Sequence, residues 1–250
     1  MNRQGGRMEG RFLIGSNEKP VERNIYSDKS AVVLDWLLRE GIKSRELSVR
    51  NVSKEAGVSL GSVQRVFETL VLKGILQVEG IRTAKKFFLK DPKRLLESWL
   101  EHYSIVKKCK MRTYRSGFQD KAELLEAIKK SNLSNKVALA LHSAVEAQGY
   151  KNTNLNTLEL YLLDPLLRPQ LEKKLLLEPQ ERGYEVLLIE PYYKSLLKNN
   201  SDSDLDINVS PFILTFLDLY HFPLRGQEQA EFMAERLTEL KRIYKNGKST

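Results

Sequence analysis

Ser59-Leu-Gly-Ser-Val-Gln-Arg-Val-Phe67 carries the side chains of this 250-residue chain best suited to reading another molecule. Gln64 offers a paired donor and acceptor that match an adenine edge, and the Arg65 fork matches guanine or phosphate. Ser59, Gly61 and Ser62 are small enough to let the backbone come close to an anion. The N–H groups at the start of a helix would favour one there. Val63, Val66 with Phe67, Leu70 and Val71 form a single apolar stripe on which such a helix could dock. Its other face then holds Gly61, Ser62, Gln64 and Arg65, with no large apolar residue expected outside. This chemistry suits double-stranded DNA: base edges for Gln64 and Arg65, phosphates for Arg50, Arg82, Lys85 and Lys86. The alternative is that the same module contacts protein.

The elements needed to hold that helix are legible around it. Ser27 or Asp28 can cap a first helix carrying Val32, Val33, Trp36 and Leu37, which Gly41 stops. Ser48 opens a short second helix with Val49, Val52 and Ala56 on one side. Gly57 ends it, since glycine enters the left-handed conformation without a Cβ clash. Val58 fills the corner, Ser59 caps the third helix, and Gly74 closes it. Ile75–Glu79 and Lys85–Leu89 read as strands around a turn at residues 80–84. Helix, helix, turn, helix and hairpin in this order spell a winged helix-turn-helix over residues 28–90.

Residues 1–27, with four glycines and five basic residues, read as a loosely attached basic arm. Asp91-Pro92 opens a helix with Leu95, Leu96, Trp99 and Leu100, expected to run to Val106 as a connector over residues 91–106. Residues 107–250 then alternate strand and helix. Strands are expected at Lys110–Arg115, Val137–Leu141, Thr157–Leu163 and Tyr184–Ile189. Helices are expected at Lys121–Lys130, around Ala144 and Ala147, at Phe212–Tyr220, and from Gln227 to Tyr244. The fold class is therefore α+β, an N-terminal winged helix-turn-helix followed by a mixed α/β domain.

Charge agrees with a polyanionic partner. Residues 1–90 hold 17 Lys and Arg against 10 Asp and Glu, whereas the rest hold 24 against 22, so most of the net +9 lies on the first third. The basic run Lys107–Arg115 either extends that surface or is simply solvated. No apolar run approaches a membrane span, and the N-terminus lacks the apolar core of a secretory signal. A cytoplasmic protein without a membrane partner is expected. Cys109 is the only cysteine, so no internal disulfide forms. Its lysine neighbours could lower its thiol pKa, but without a histidine nearby it reads as incidental. His102, His142 and His221 lack metal-ligand spacing and read as surface or half-buried residues. No metal or cofactor is expected.

The first motif, "VSKEAGVSLGSVQRVF" over residues 52–67, resembles the "rdvAkeaGvslgtvsrvl" pattern of bacterial DNA-binding regulators. A second, "LDLYHFPLRGQEQAE" over residues 217–231, resembles the C-terminal signature of the AbiEi-like antitoxins of type IV toxin–antitoxin systems. The segments Val137–Gly149 and Leu158–Leu163 follow the same order. The resemblance implies a winged helix ahead of an α/β antitoxin domain and a transcriptional regulator repressing its own operon; a cognate toxin is a candidate partner that the resemblance by itself does not establish, because many such domains stand alone. Arg225, within the second motif, is expected to tie backbone carbonyls or a carboxylate, Glu228 or Asp218.

An enzymatic alternative rests on "SDSDLDI" over residues 201–207. Asp204 and Asp206, two apart on a strand, could hold Mg²⁺ as in a nucleotidyltransferase. That fold needs a Gly-Ser phosphate-binding pair upstream, and residues 185–200 contain no glycine, so a solvated acidic loop is the better reading. The body could keep that fold without its activity. The preferred reading is a non-enzymatic, sequence-specific DNA-binding regulator, dimeric because one winged helix reads few base pairs. The alternative is that enzyme, or an antitoxin acting through protein or RNA contact.

Overall fold

The computed structural model describes residues 24–44, 46–81, 85–131, 133–198 and 207–246. The described residues open with three helices: α1 (Asp28–Arg39), α2 (Val49–Glu55) and α3 (Leu60–Leu72). An antiparallel hairpin of β1 (Leu76–Glu79) and β2 (Lys86–Leu89) follows, in the register Leu76 opposite Leu89. Leu47 adds a bridge to Phe87, which ties the hairpin to the segment entering α2. The turn between α2 and α3 is locked from both sides. Gly57 sits at φ +65°, the Val58 amide donates to the Ser53 carbonyl, and Ser53 Oγ donates to the Val58 carbonyl at 2.6 Å.

Caps account for most helix starts in this unit. Ser48 Oγ accepts from Asn51 N–H and Ser59 Oγ from Ser62 N–H. The first helix departs from the expectation. Ser27 Oγ reaches Ser30 Oγ instead of a free amide, and the Asp28 carboxylate accepts from the backbone and hydroxyl of Ser195, 167 residues away. Asp28 thus satisfies a helix start in the body of the protein, a long-range use invisible in a local window. Ile25 and Tyr26, read from the sequence as part of a loose arm, are buried in the core; residues 1–23 of that arm lie outside the described residues.

The helix expected over residues 91–106 is shorter. α4 (Pro92–His102), capped by Asp91, ends where Tyr103 turns extended, and α5 (Ile105–Lys108) is separate. α4 is also more than a connector, because Leu95, Leu96 and Trp99 are fully buried and Trp99 Nε1 donates to Tyr193 Oη at 2.8 Å.

The body is a six-stranded mixed sheet in the order β6-β3-β7-β5-β4-β8. Its strands are β3 (Lys110–Ser116), β4 (Val137–Leu139), β5 (Leu158–Leu162), β6 (Leu177–Pro179), β7 (Val186–Glu190) and β8 (Asn208–Val209). β5 runs parallel to β7 and β4 parallel to β8; the other pairs are antiparallel. Its helices are α6 (Lys121–Lys130), α7 (Leu141–Ala147), α8 (Arg168–Lys174), α9 (Lys194–Lys198), α10 (Phe212–Tyr220), α11 (Gly226–Arg236) and α12 (Thr238–Asn246). The single terminal helix expected from Gln227 to Tyr244 is therefore two, broken at Leu237, whose backbone is extended.

Both sheet faces are covered, which explains strands that read as apolar runs. Leu158, Leu160, Val186 and Leu188 pack toward α6 and α8. Their alternates Tyr161, Leu187 and Ile189 share one core with α1, α3, α4 and α10. The helical unit and the body are thus built on a common apolar cluster. The architecture is α+β.

Candidate nucleic-acid interface

α3 buries Val63, Val66, Phe67 and Leu70, at most 1% exposed, and turns the rest of its first two turns outward. Gly61 and Arg65 are exposed, and Ser62 and Gln64 are half-buried. The side chains at this surface bond only to their own helix or cap. Arg65 Nε donates to the Gly61 carbonyl at 3.2 Å and Nη2 to Ser62 Oγ at 3.4 Å. Gln64 Nε2 donates to Glu68 Oε1 at 2.9 Å, and the Ser59 and Ser62 hydroxyls meet at 2.9 Å. Solvent-exposed bonds of this kind contribute little to the fold and exchange readily for an outside partner. A Cβ built on Gly61 would meet nothing within 4 Å, so no packing inside the protein calls for glycine there.

The structure corrects the expectation of an outer face free of large apolar residues. Leu60 is 51% and Leu72 66% exposed, one at each end of α3. Glu68, a turn beyond Gln64, also places a carboxylate on this surface.

The remaining sequence-selected cations are spread around α3. Arg50 is exposed on α2. Lys85 is exposed just ahead of β2, and Lys86 pairs with Glu46 at 2.8 Å, which raises the Lys86 pKa. Arg82 lies outside the described residues. The structure brings two other lysines close to α3. A groove beside the α3 N-terminus is lined by Lys29 of α1, Ser59, Ser62, Arg65 and, from the body, Lys198 of α9. Sequence reasoning passed over both lysines. Lys29 looked like one more charge in a capping segment, and Lys198 lies 133 residues beyond Arg65.

Asp218 and Arg225, also selected from the sequence, lie in the body, one inside it and one on its surface. Asp218 is fully buried in α10, where Tyr103 Oη donates to Oδ1 at 2.7 Å and Tyr161 Oη to Oδ2 at 2.5 Å. Burial pushes its carboxyl up to about 7, against the pull of the two phenols. Arg225 does not reach it. That residue takes a left-handed conformation at φ +53° ahead of α11 and holds Glu228 through two bonds of 2.9 and 2.6 Å. Gly226, beside it, is pressed against α10: a Cβ would stand 2.3 Å from the Leu219 carbonyl oxygen and 2.8 Å from Phe222 Cβ.

Cys109 is buried, and burial drives its thiol up to about 11, the reverse of the lowering its lysine neighbours suggested. His142 is 1% exposed where a surface or half-buried place was expected, with Nε2 on the Leu224 carbonyl. No group of His, Cys, Asp and Glu could hold a metal ion among the described residues, which exclude Asp204 and Asp206. Among the described residues no helix is long and apolar enough to cross a membrane.

Fold and surface together define an α+β protein in which a small helical unit with a hairpin is fused to a doubly covered six-stranded body. A family model described as "Transcriptional regulator, AbiEi antitoxin, Type IV TA system" matches residues 88–239, from the last two residues of β2 to the start of α12, and so nearly all of the body. The chain belongs to this family of transcriptional regulators of type IV toxin–antitoxin systems. No curated protein and no solved structure matches the chain. The family match begins after α3, so the reading of that helix rests on its own geometry.

Proposed function

We propose that residues 28–90 form a winged helix-turn-helix that binds duplex DNA, with α3 in the major groove, and that the protein represses transcription of its own operon. Gln64 and Arg65 read base edges. Leu60 is placed for apolar contact with a thymine methyl. Arg50, Lys85 and the lysines beside the α3 N-terminus hold phosphates. Arg82 and Lys86 belong to the same phosphate-holding set, Lys86 by exchanging its exposed partner Glu46. The α/β body carries the antitoxin role toward a cognate toxin. The protein works by binding rather than catalysis, without a cofactor, in the cytoplasm and as a homodimer, since a palindromic operator suits two copies of one recognition helix.

One observation carries this reading. The outward face of α3 takes no part in the packing of the protein, although the inward face of the same helix is among its best buried surfaces.

Selection of bound duplexes from a random pool tests it. A defined motif should emerge. Gln64→Ala and Arg65→Ala should each lower preference for that motif by about 1–3 kcal/mol while the protein stays folded. Lys85→Ala should weaken binding to every sequence and flatten its salt dependence. Selection without a motif, or variants that bind as the parent does, would reject α3 as the reading helix.

A further inference from the structure

The basic run Lys107–Arg115 is divided by the fold. Arg112 stands opposite Leu188 and Lys110 opposite Glu190, on the sheet face that α6 and α8 cover, and both line a shallow hollow there with Arg168. Lys108, at the end of α5, belongs to the other side. Its Nζ lies 5.5 Å from the centre of the Tyr192 ring, and Tyr192 packs against the core shared with α1, α3 and α4. The Tyr192 amide donates to Cys109 Sγ at 3.4 Å, which holds this stretch against the end of α5.

Two residues after Tyr192 the chain enters α9. That helix buries Leu196 and Leu197 and leaves Lys194 and Lys198 exposed. Four residues apart, these two lysines share one face of the helix, and their long stems can reach neighbouring phosphates of one strand. Lys198 in turn lines the groove at the start of α3 with Lys29, Ser59 and Arg65. Lys108, Lys194, Lys198 and Lys29 thus form a line of cations that starts on the body and ends at the outward face of α3.

None of the four is in an ion pair among the described residues. Elsewhere lysines are paired across elements: Lys86 with Glu46, and Lys121 and Lys151 with Glu146. Asp28, the carboxylate where α1 meets α9, is turned onto the Ser195 amide and hydroxyl at 2.8 and 2.7 Å, so it fixes α9 against α1 instead of neutralising the line. Like charges held unpaired in a row on packed elements suit a linear polyanion.

We propose that Lys108, Lys194 and Lys198 are a second phosphate-holding row, carried by the body, along which the backbone of a bound duplex continues past the helical unit. The body then adds affinity and footprint length without adding sequence preference. This rests on the duplex-binding reading of α3 only for where the DNA lies along the row; attraction of the row for the backbone does not require α3 to read bases.

The test compares two variants of the full-length protein that lose the same charge: Lys108→Ala with Lys194→Ala on the row, and Lys110→Ala with Arg112→Ala on the opposite face of the sheet. Binding is measured over a series of salt concentrations to short and long duplexes, carrying the selected motif or of mixed sequence. The row variant should bind long duplexes about tenfold more weakly, with a salt slope smaller by about 2 and an unchanged motif preference. The parent should gain affinity from the added duplex length, and the row variant should lose that gain. The control variant should bind as the parent does. The inference is overturned if both variants weaken binding equally, which is an effect of net charge alone, or if the row variant keeps the parent's salt slope and its gain from duplex length. Loss of mixed-sequence binding in the row variant alone supports the row even if no motif emerges from selection. A motif that depends on Gln64 and Arg65 beside an unaffected row variant sinks the row and leaves the reading of α3 standing.

Discussion

Gly61 and Gly226 both lie in the first turn of a helix, and the space around them could hardly differ more. At Gly226 the backbone of α10 stands where a Cβ would go, 2.3 Å away, and at Gly61 nothing stands within 4 Å. The body needs its glycine to bring α11 down onto α10. The helical unit has no such need. A glycine that costs helix stability and brings no packing points outward, to a partner that must come close. The same contrast holds for polar side chains. Asp218 on α10 is sealed in by two phenols, whereas Gln64 and Arg65 on α3 bond only along their own helix.

Asp218 also makes the stability of the body answer to pH. Asp218 has a folded pKa of about 7, above the ordinary carboxylate value of about 3.9. Folding therefore takes up a proton between these values. The contribution is fully present below about pH 4 and is lost as pH rises through 7, by at most about 4 kcal/mol. Denaturant unfolding at a series of pH values should show stability falling over that window. Asp218→Asn, which keeps one acceptor for a tyrosine and stays neutral, should flatten the profile. A profile unchanged in the variant would mean that Asp218 is not the group responsible.

Gly226→Ala comes next in size. A methyl group placed on the Leu219 carbonyl must push α11 away from α10, and overpacking of this kind costs about 1–3 kcal/mol or more. Thermal melting should fall by many degrees or soluble protein should be lost. Wild-type stability would show that the two helices slide apart freely and that the close contact is not a requirement of the fold.

The sequence displayed these two regions unequally. The stripe on α3, the caps at Ser48 and Ser59 and the apolar runs of β4, β5 and β7 follow from local spacing and are found where that spacing puts them. Short elements escaped. α8, β6, α9 and β8 run to seven, three, five and two residues, too few to complete a period. The break at Leu237 carries neither glycine nor proline, and α4 stops at His102 without a breaker, so both looked continuous. Glu159 shows another limit. It is the one charged residue in the run Leu158–Leu162, yet it is fully buried, with Ser143 N–H and Oγ, Thr157 Oγ1 and Tyr184 Oη all turned toward it. A strand covered on both faces gives no sign of which partners await a carboxylate. The row on the body escaped for a related reason, since Lys108, Lys198 and Lys29 line up only through the tertiary fold.

Gly61→Ala carries the smallest change in stability and tests the comparison most directly. With open space around the site, alanine should leave the fold intact and stabilise α3 by up to about 1 kcal/mol, since glycine within a helix is costlier than alanine by that amount. The added methyl would nevertheless stand on the surface proposed to approach the sugar–phosphate backbone, and affinity for the selected duplex should drop about tenfold. A protein that melts higher and binds worse separates the two demands on one residue. If the variant melts higher and binds equally well, Gly61 is not at a contact, and the closest approach of DNA must lie elsewhere on α3, toward Gln64 and Leu60 or along the groove at Lys29 and Lys198.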